Sequence, residues 1–291
     1  MEPKVYLDYT QKQLDDAYNQ RLWAPNAQEV IDGYATDSAA VRAKFPPRTF
    51  RYGPSADETL DWFAPVRGGA GAPIMVFIHG GAWRSLTKED SEAAAPTFIE
   101  NGAHYVALNF AVIPKVRLPD MAEQCRRALL WVRENAQRLG GDPEKLYVSG
   151  HSSGGHLAGV MVTTDWTALG APATLLKGGL CASGSYDLEP VMLSARSSYV
   201  KLSEGEKLAL SPIRHVDRVR CPVTVAYGSL ETPEFQRQSR AFAAALKADS
   251  KFPSELIVLE GVNHFEVAVT MNRPDGVLGR AALKLMGLKA G

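Results

Sequence analysis

The chain has 291 residues, and its 32 Lys and Arg balance 32 Asp and Glu, so the formal charge is zero. A protein whose main partner is polyanionic carries a basic surplus, which argues against nucleic acid and anionic membranes as partners. With 45% hydrophobic and 22% charged residues the chain is globular in composition, and three scattered cysteines (Cys125, Cys181, Cys221) support neither a disulfide framework nor a zinc cluster.

In chain order, Thr10 is a candidate cap for a helix running to about Arg21. Pro25, a second short helix and then Pro46-Pro47 complete an N-terminal helical arm over residues 1–48, expected to pack on the main domain. From residue 49 to 291, short β-rich runs alternate with longer helical patterns. That alternation predicts an α/β fold with a mostly parallel sheet of about eight strands and helices on both faces. Extended segments are expected at Thr49–Gly53, Thr59–Pro65, Ile74–His79, His104–Phe110, Lys145–Gly150, Gly179–Ser183, Val223–Tyr227 and Glu255–Leu259. Helices are expected at Lys88–Glu100, Met121–Arg138, Gly154–Thr163, Phe235–Ala248 and Arg280–Met286. The run from Ile74 to Ile78 is apolar throughout and too short for a free-standing helix; it suits a strand covered on both faces. Residues 189–219, irregular and containing Pro212, are a candidate partial lid. No apolar stretch reaches membrane-spanning length, and Met1–Thr10 carries charges where a leader's apolar region would lie. A soluble, cytoplasmic protein is the expectation.

The chemistry concentrates in Gly150-His151-Ser152-Ser153-Gly154, a G-x-S-x-G pattern between a predicted strand and a predicted helix. Small residues two positions either side of the serine let neighbouring backbones pass closely while the serine is held strained with its hydroxyl exposed. A second element, His79-Gly80-Gly81-Ala82-Trp83, directly follows the apolar strand. Consecutive glycines there allow backbone N–H groups to converge on a developing oxyanion; alone, they would equally serve a tight turn.

A serine nucleophile needs a base. Of six histidines, His264 lies in a predicted loop after the last strand, C-terminal to every other feature, matching the order serine, acid, histidine. His79 is read as a brace for the glycine turn. His151 and His156 are read as scaffold around the serine, with pocket lining an option for His156. The acid should follow the strand at 223–227, where Glu231 is the first choice. Glu234 is its rival, though it falls in the first turn of the next helix, where acidic residues favour the dipole; Asp187 is a weaker substitute.

These segments resemble the α/β-hydrolase superfamily, and within it the kynurenine formamidase (arylformamidase) group and its esterase relatives. The likeness is carried by HGGAW at 79–83, GHSSGGHLA at 150–158, residues 233–239, GVNHF at 261–265, residues 14–19 of the arm, and residues 115–121 leading to the helix with Trp131. The resemblance implies a triad of Ser152, Glu231 and His264, with oxyanion donors at the backbone of Gly80, Gly81 and Ser153. Members of the group often carry Asp where Glu231 stands and Ala where Ser153 stands, and Asn109-Phe110 replaces a more familiar Asp-Tyr pair.

The expected reaction is hydrolysis of a small acyl group, formyl among them, from an aromatic amide or ester through an acyl-enzyme on Ser152. Trp83, Phe265, Phe110, Tyr186 and Tyr18 are the candidate substrate-binding aromatics; each has a core role as its alternative. Two other readings are a general carboxylesterase and a ligand-binding hydrolase homologue without turnover. No cofactor is expected, and no paired His and carboxylate spacing points to a metal. The partner is a small molecule, and a homodimer is left open.

Overall fold

The structure is a computed structural model that describes residues 2–68 and 70–289. Two short antiparallel strands, β1 (Lys4–Tyr6) and β2 (Tyr9–Thr10), open the chain and were too brief to carry a readable pattern. Thr10 then caps α1 (Gln11–Ala17) in a reciprocal capping box with Gln13. The helix stops before the expected Arg21 because Asn19, at φ −108° and ψ 83°, leaves helical geometry, and a 3-10 turn at Gln20–Leu22 follows. The second helix, expected to be short, is α2 (Ala27–Lys44), of 18 residues.

From there the strands β3 (Arg48–Arg51), β4 (Thr59–Phe63) and β5 (Ala72–Ile78) precede α3 (Ala95–Ile99) and β6 (His104–Leu108). Next come α4 (Leu118–Ala136), β7 (Gly141–His151), α5 (Ser153–Val162) and β8 (Leu176–Ala182). After α6 (Glu189–Leu193) and α7 (Glu204–Ala209), the chain forms β9 (Val223–Gly228), α8 (Pro233–Asp249) and β10 (Ser254–Leu259). It finishes with α9 (His264–Val269) and α10 (Val277–Leu285). One eight-stranded sheet has the order β10-β9-β8-β7-β5-β6-β4-β3, parallel except where β4 runs against both β3 and β6.

The unbroken apolar run of β5 is explained by its two faces. Ile74, Val76 and Ile78 enter a core shared with Met121 of α4, Leu157 of α5 and Phe242 of α8. Met75 and Phe77 enter the opposite core with Phe98 of α3 and Leu278 of α10. Each such fully buried side chain contributes about 1.5–3 kcal/mol.

A further expectation fails for a physical reason. The single helix expected over 88–100 is two 3-10 turns, Lys88–Asp90 and Glu92–Ala94, followed by α3, whose first turn contains Pro96. Proline has no N–H to continue a helix and so sits where one restarts. The break also lets Lys88 and Glu92 turn inward: Lys88 Nζ lies 2.8 Å from buried Asp61, and Arg42 of α2 pairs with both Asp61 and Glu92. Burial, reinforced by Asp61, pushes the Glu92 carboxyl up to about 8. Residues 189–219, the candidate partial lid, form α6, α7 and 3-10 turns at Ala195–Ser198 and Pro212–Arg218. They are tied to the N-terminal segment: the Ala195 N–H donates to Asp15 at 2.6 Å and the Gln11 side chain donates to the Leu193 carbonyl at 2.9 Å. Cys125, Cys181 and Cys221 are all buried thiols. Among the described residues no helix is long and apolar enough to cross a membrane.

Candidate active site

Ser152 sits between β7 and α5 at φ 57° and ψ −123°, a strained conformation for a residue with a side chain, costing about 1–3 kcal/mol. Its neighbours must be glycine. A Cβ on Gly150 would lie 2.2 Å from the Gly154 carbonyl oxygen, and one on Gly154 would lie 2.0 Å from that of Ile78. The Ser152 N–H is tied to the Ala182 carbonyl at 2.9 Å, so β8 holds the turn from the far side.

His264 is the first residue of α9, not part of a loop. Asn263 caps that helix, accepting from the Phe265 and Glu266 N–H groups, and Glu266 completes a capping box. The ring it positions lies with Nε2 2.8 Å from Ser152 Oγ and Nδ1 3.1 Å from Glu231 Oε2. A carboxylate accepts only, so Nδ1 carries the proton and Nε2 presents a lone pair to the serine hydroxyl. The other carboxylate oxygen, Oε1, accepts from the Gly228 N–H at 2.8 Å and from the Ser183 hydroxyl at 2.5 Å. Glu231 and His264 are both nearly inaccessible to solvent.

The rival acids are engaged elsewhere. Glu234 is gripped by Arg237, with both contacts at 2.7 Å, and accepts from the Tyr18 hydroxyl at 3.4 Å. Asp187 accepts from the Glu189 N–H at 3.1 Å and faces Arg214 at 3.3 Å.

The glycine turn lies against the serine. An ideal Cβ on Gly80 would approach the His151 carbonyl oxygen to 3.0 Å and the Ser152 Cβ to 3.3 Å. Gly81, Ala82 and Trp83 follow with φ of 103°, 52° and 63°. The N–H groups of Arg84 and Ser85 both donate to the Gly81 carbonyl at 3.0 Å, which locks the curl. Among the described residues nothing accepts from the Gly81 N–H, and Ser153, opening α5, has an N–H free by helix geometry. His79 stacks on Phe110 at 4.3 Å and donates from Nδ1 to the Gly80 carbonyl, bracing this loop.

Ser152 and His264 open onto a cavity of about 250 Å³. Of the five aromatic candidates, Tyr18 and Phe265 line it, whereas Trp83, Phe110 and Tyr186 do not. The Trp83 indole donates to His156 Nδ1 at 3.2 Å within the core. Phe110 is occupied by His79, and Tyr186 stacks on Phe242 at 4.3 Å. Nearness in sequence to a catalytic loop sets no direction, and in a tightly turning loop the adjacent side chain faces backward into the core. His156, offered as a pocket residue, is fully buried between Trp83 and the Leu210 carbonyl, and burial holds its pKa down to about 4.

His151, read as scaffold, lines the cavity instead, its ring 4.8 Å from that of His264. Burial first, and then the charge of His264, hold its pKa well below the usual value, so it stays neutral beside His264. Sequence reasoning also missed Ser183, Tyr34 and Arg196. Tyr34 of α2 lines the cavity and donates to the Phe265 carbonyl at 2.5 Å. None of the three belongs to a motif, and only the fold brings them to the site.

A doubly covered sheet carrying a serine turn, a glycine loop and a histidine–carboxylate pair at its strand ends defines an α/β-hydrolase. The BD-FAE family is matched over residues 60–171. Kynurenine formamidase of Danio rerio is 30% identical over 287 residues, covering 94% of this chain and 96% of its own. Esterase LipQ of Mycobacterium tuberculosis is 30% identical over 242 residues, covering 76% of this chain and 57% of its own. Among solved structures, a thioesterase candidate from Silicibacter sp. TM1040 superposes with a TM-score of 0.81 at 23% identity, covering 92% of this chain and 98% of its own. An esterase of Pyrobaculum calidifontis gives 0.70 at 20% identity, covering 93% and 97%. The chain belongs to the kynurenine formamidase and esterase group, and it is a hydrolase.

Proposed function

We propose that this hydrolase removes a small acyl group, formyl foremost, from an aromatic amide through an acyl-enzyme on Ser152. The observation that carries the reading is the continuous hydrogen-bonded line Glu231–His264–Ser152 at the base of the cavity. His264 takes the Ser152 proton as Oγ attacks the carbonyl, while the N–H groups of Gly80, Gly81 and Ser153 receive the oxyanion. The imidazolium, stabilised by Glu231, then protonates the leaving amine. A water activated by the same histidine hydrolyses the ester on Ser152, releasing formate. The N-terminal arm, residues 1–48, and the partial lid, 189–219, roof the cavity over the α/β-hydrolase domain, with Tyr18 and Phe265 meeting the aryl group.

The formamide is favoured by the Danio rerio relative, which matches nearly the full length of both chains. A carboxylesterase is the second reading, favoured by the equal identity to LipQ over a shorter span. Hydrolysis of N-formylkynurenine and p-nitrophenyl acetate, compared with Ser152→Ala as control, tests both. The expected result is a far higher kcat/KM on the formamide, and a loss on the order of 10⁶-fold in the variant. Ester turnover alone would leave the serine mechanism and remove the formamide; undiminished turnover by Ser152→Ala would remove the mechanism.

A further inference from the structure

Two arginines, Arg21 and Arg196, line the cavity, and no aspartate or glutamate joins them. In a chain of zero formal charge this is a local excess of positive charge. Within the same 189–219 segment, Lys207 pairs with Glu189, and Arg214 pairs with Asp187. Among the described residues no carboxylate reaches Arg196 within ion-pair distance.

Three aromatic rings hold its guanidinium in place of an acid: Tyr18 at 5.3 Å, Trp83 at 5.6 Å and Phe235 at 5.8 Å. One N–H donates to the Tyr18 carbonyl at 2.9 Å, and the rest of the five-donor fork has no protein carboxylate to bind. Phe235 also meets the His264 ring edge-on at 5.0 Å, so a single ring separates the guanidinium from the base. A planar cation fixed by rings and left without a counter-charge, next to a nucleophile, is prearranged for a planar anion brought by the substrate.

We infer that Arg196 is the receptor for a free carboxylate on the substrate, remote from the scissile carbonyl, and that it makes the enzyme selective for anionic acyl compounds. Arg21, exposed at the mouth, adds to the attracting field. The inference rests on the hydrolase reading above but not on the amide being the bond cleaved.

The test uses two matched pairs: 3-formamidophenylacetate with formanilide, and 3-acetoxyphenylacetate with phenyl acetate. The wild type is expected to favour the anionic member of a pair by roughly 10- to 100-fold in kcat/KM, mainly through KM. In Arg196→Met the loss on the anionic member should exceed the loss on the neutral member by at least ~10-fold, and Arg196→Lys should restore part of the difference. An unaltered anionic-to-neutral ratio, or equal losses on both members, overturns the inference and leaves Arg196 a structural staple. If the Met variant does not fold, the Lys variant and ionic strength decide. KM for the anionic member should rise with salt while that of the neutral member stays level; parallel behaviour overturns the inference. Inert formamides with active esters would remove the formamidase reading alone, because the ester pair still reports the charge preference.

Discussion

Glu231 and Glu234 stand three residues apart and are both almost fully buried, yet one meets the imidazole of His264 and the other the guanidinium of Arg237. Substitution separates them. Glu231→Gln keeps the shape of the site but loses the charge that stabilises the imidazolium, so kcat should fall by roughly 10⁴-fold with folding retained. Glu234→Ala leaves Arg237 without its carboxylate and the buried Tyr18 hydroxyl without its acceptor, and should cost roughly 3 kcal/mol in urea unfolding, with turnover retained by the folded protein. The reverse pattern would transfer the acid's role to residue 234. Ser152 and His264 were legible because a local motif and chain order mark them. The aromatic pocket was not, since Trp83 and Tyr186 adjoin catalytic loops in sequence but turn their rings into the core. Ser183 was invisible for another reason: it lies 48 positions from the carboxylate it binds, and only the adjacency of β8 and β9 joins them.

At the scale of elements, the turn carrying Ser152 works because three backbones cross where no side chain fits. Gly154→Ala would press a methyl onto the Ile78 and His79 carbonyls at 2.0 and 2.5 Å, with no flexible atom to yield. Its unfolding free energy should fall by roughly 3 kcal/mol or more, beyond the usual range for a single substitution. Gly33, in the middle of α2, has nothing within 4 Å of its would-be Cβ. Gly33→Ala should therefore stabilise the protein by about 0.5–1 kcal/mol, and calorimetry of the two variants checks both signs. Strands such as β5 were readable because coverage on both faces imposes an unbroken apolar run. The 88–100 segment was not, because Lys88 and Glu92 look like a solvated helix face until Asp61 claims the lysine and Arg42 the glutamate. A loop was expected where a helix starts at His264, although Asn263 followed three residues later by Glu266 is a capping pair. The same two residues bond to Asn26 just before α2, each at 2.8 Å, so the N-terminal segment clamps the helix that bears the base.

For the molecule as a whole, buried titrating groups set how stability varies with pH. His79 and His156 are held down to about 4 by burial, so between pH 6.5 and 4 the unfolded chain binds protons that the folded one refuses. Their contribution is present above pH 6.5 and is lost on acidification, by roughly 3 kcal/mol per histidine at pH 4. Glu92 acts in the opposite sense. Raised to about 8, it keeps a proton that the unfolded chain releases above pH 4.5, so its contribution is full below that and fades as pH rises toward 8. Stability should peak at about pH 6–7, with His156→Gln flattening the acid limb and Glu92→Gln the alkaline limb. Urea unfolding from pH 4 to 9 measures both, and an acid limb unchanged by His156→Gln would refute the assignment.

Chain order has one more consequence. The glycine loop and the serine turn leave β5 and β7, in the interior of the sheet, whereas the histidine lies 112 residues beyond the serine and follows β10, an edge strand. During synthesis the N-terminal part of a chain leaves the ribosome first. The turn bearing Ser152 is therefore translated well before His264, and a chain ending short of residue 264 lacks the base of the proposed mechanism. On the proposed mechanism, hydrolytic competence waits for the segment after β10 to bring His264 to Ser152.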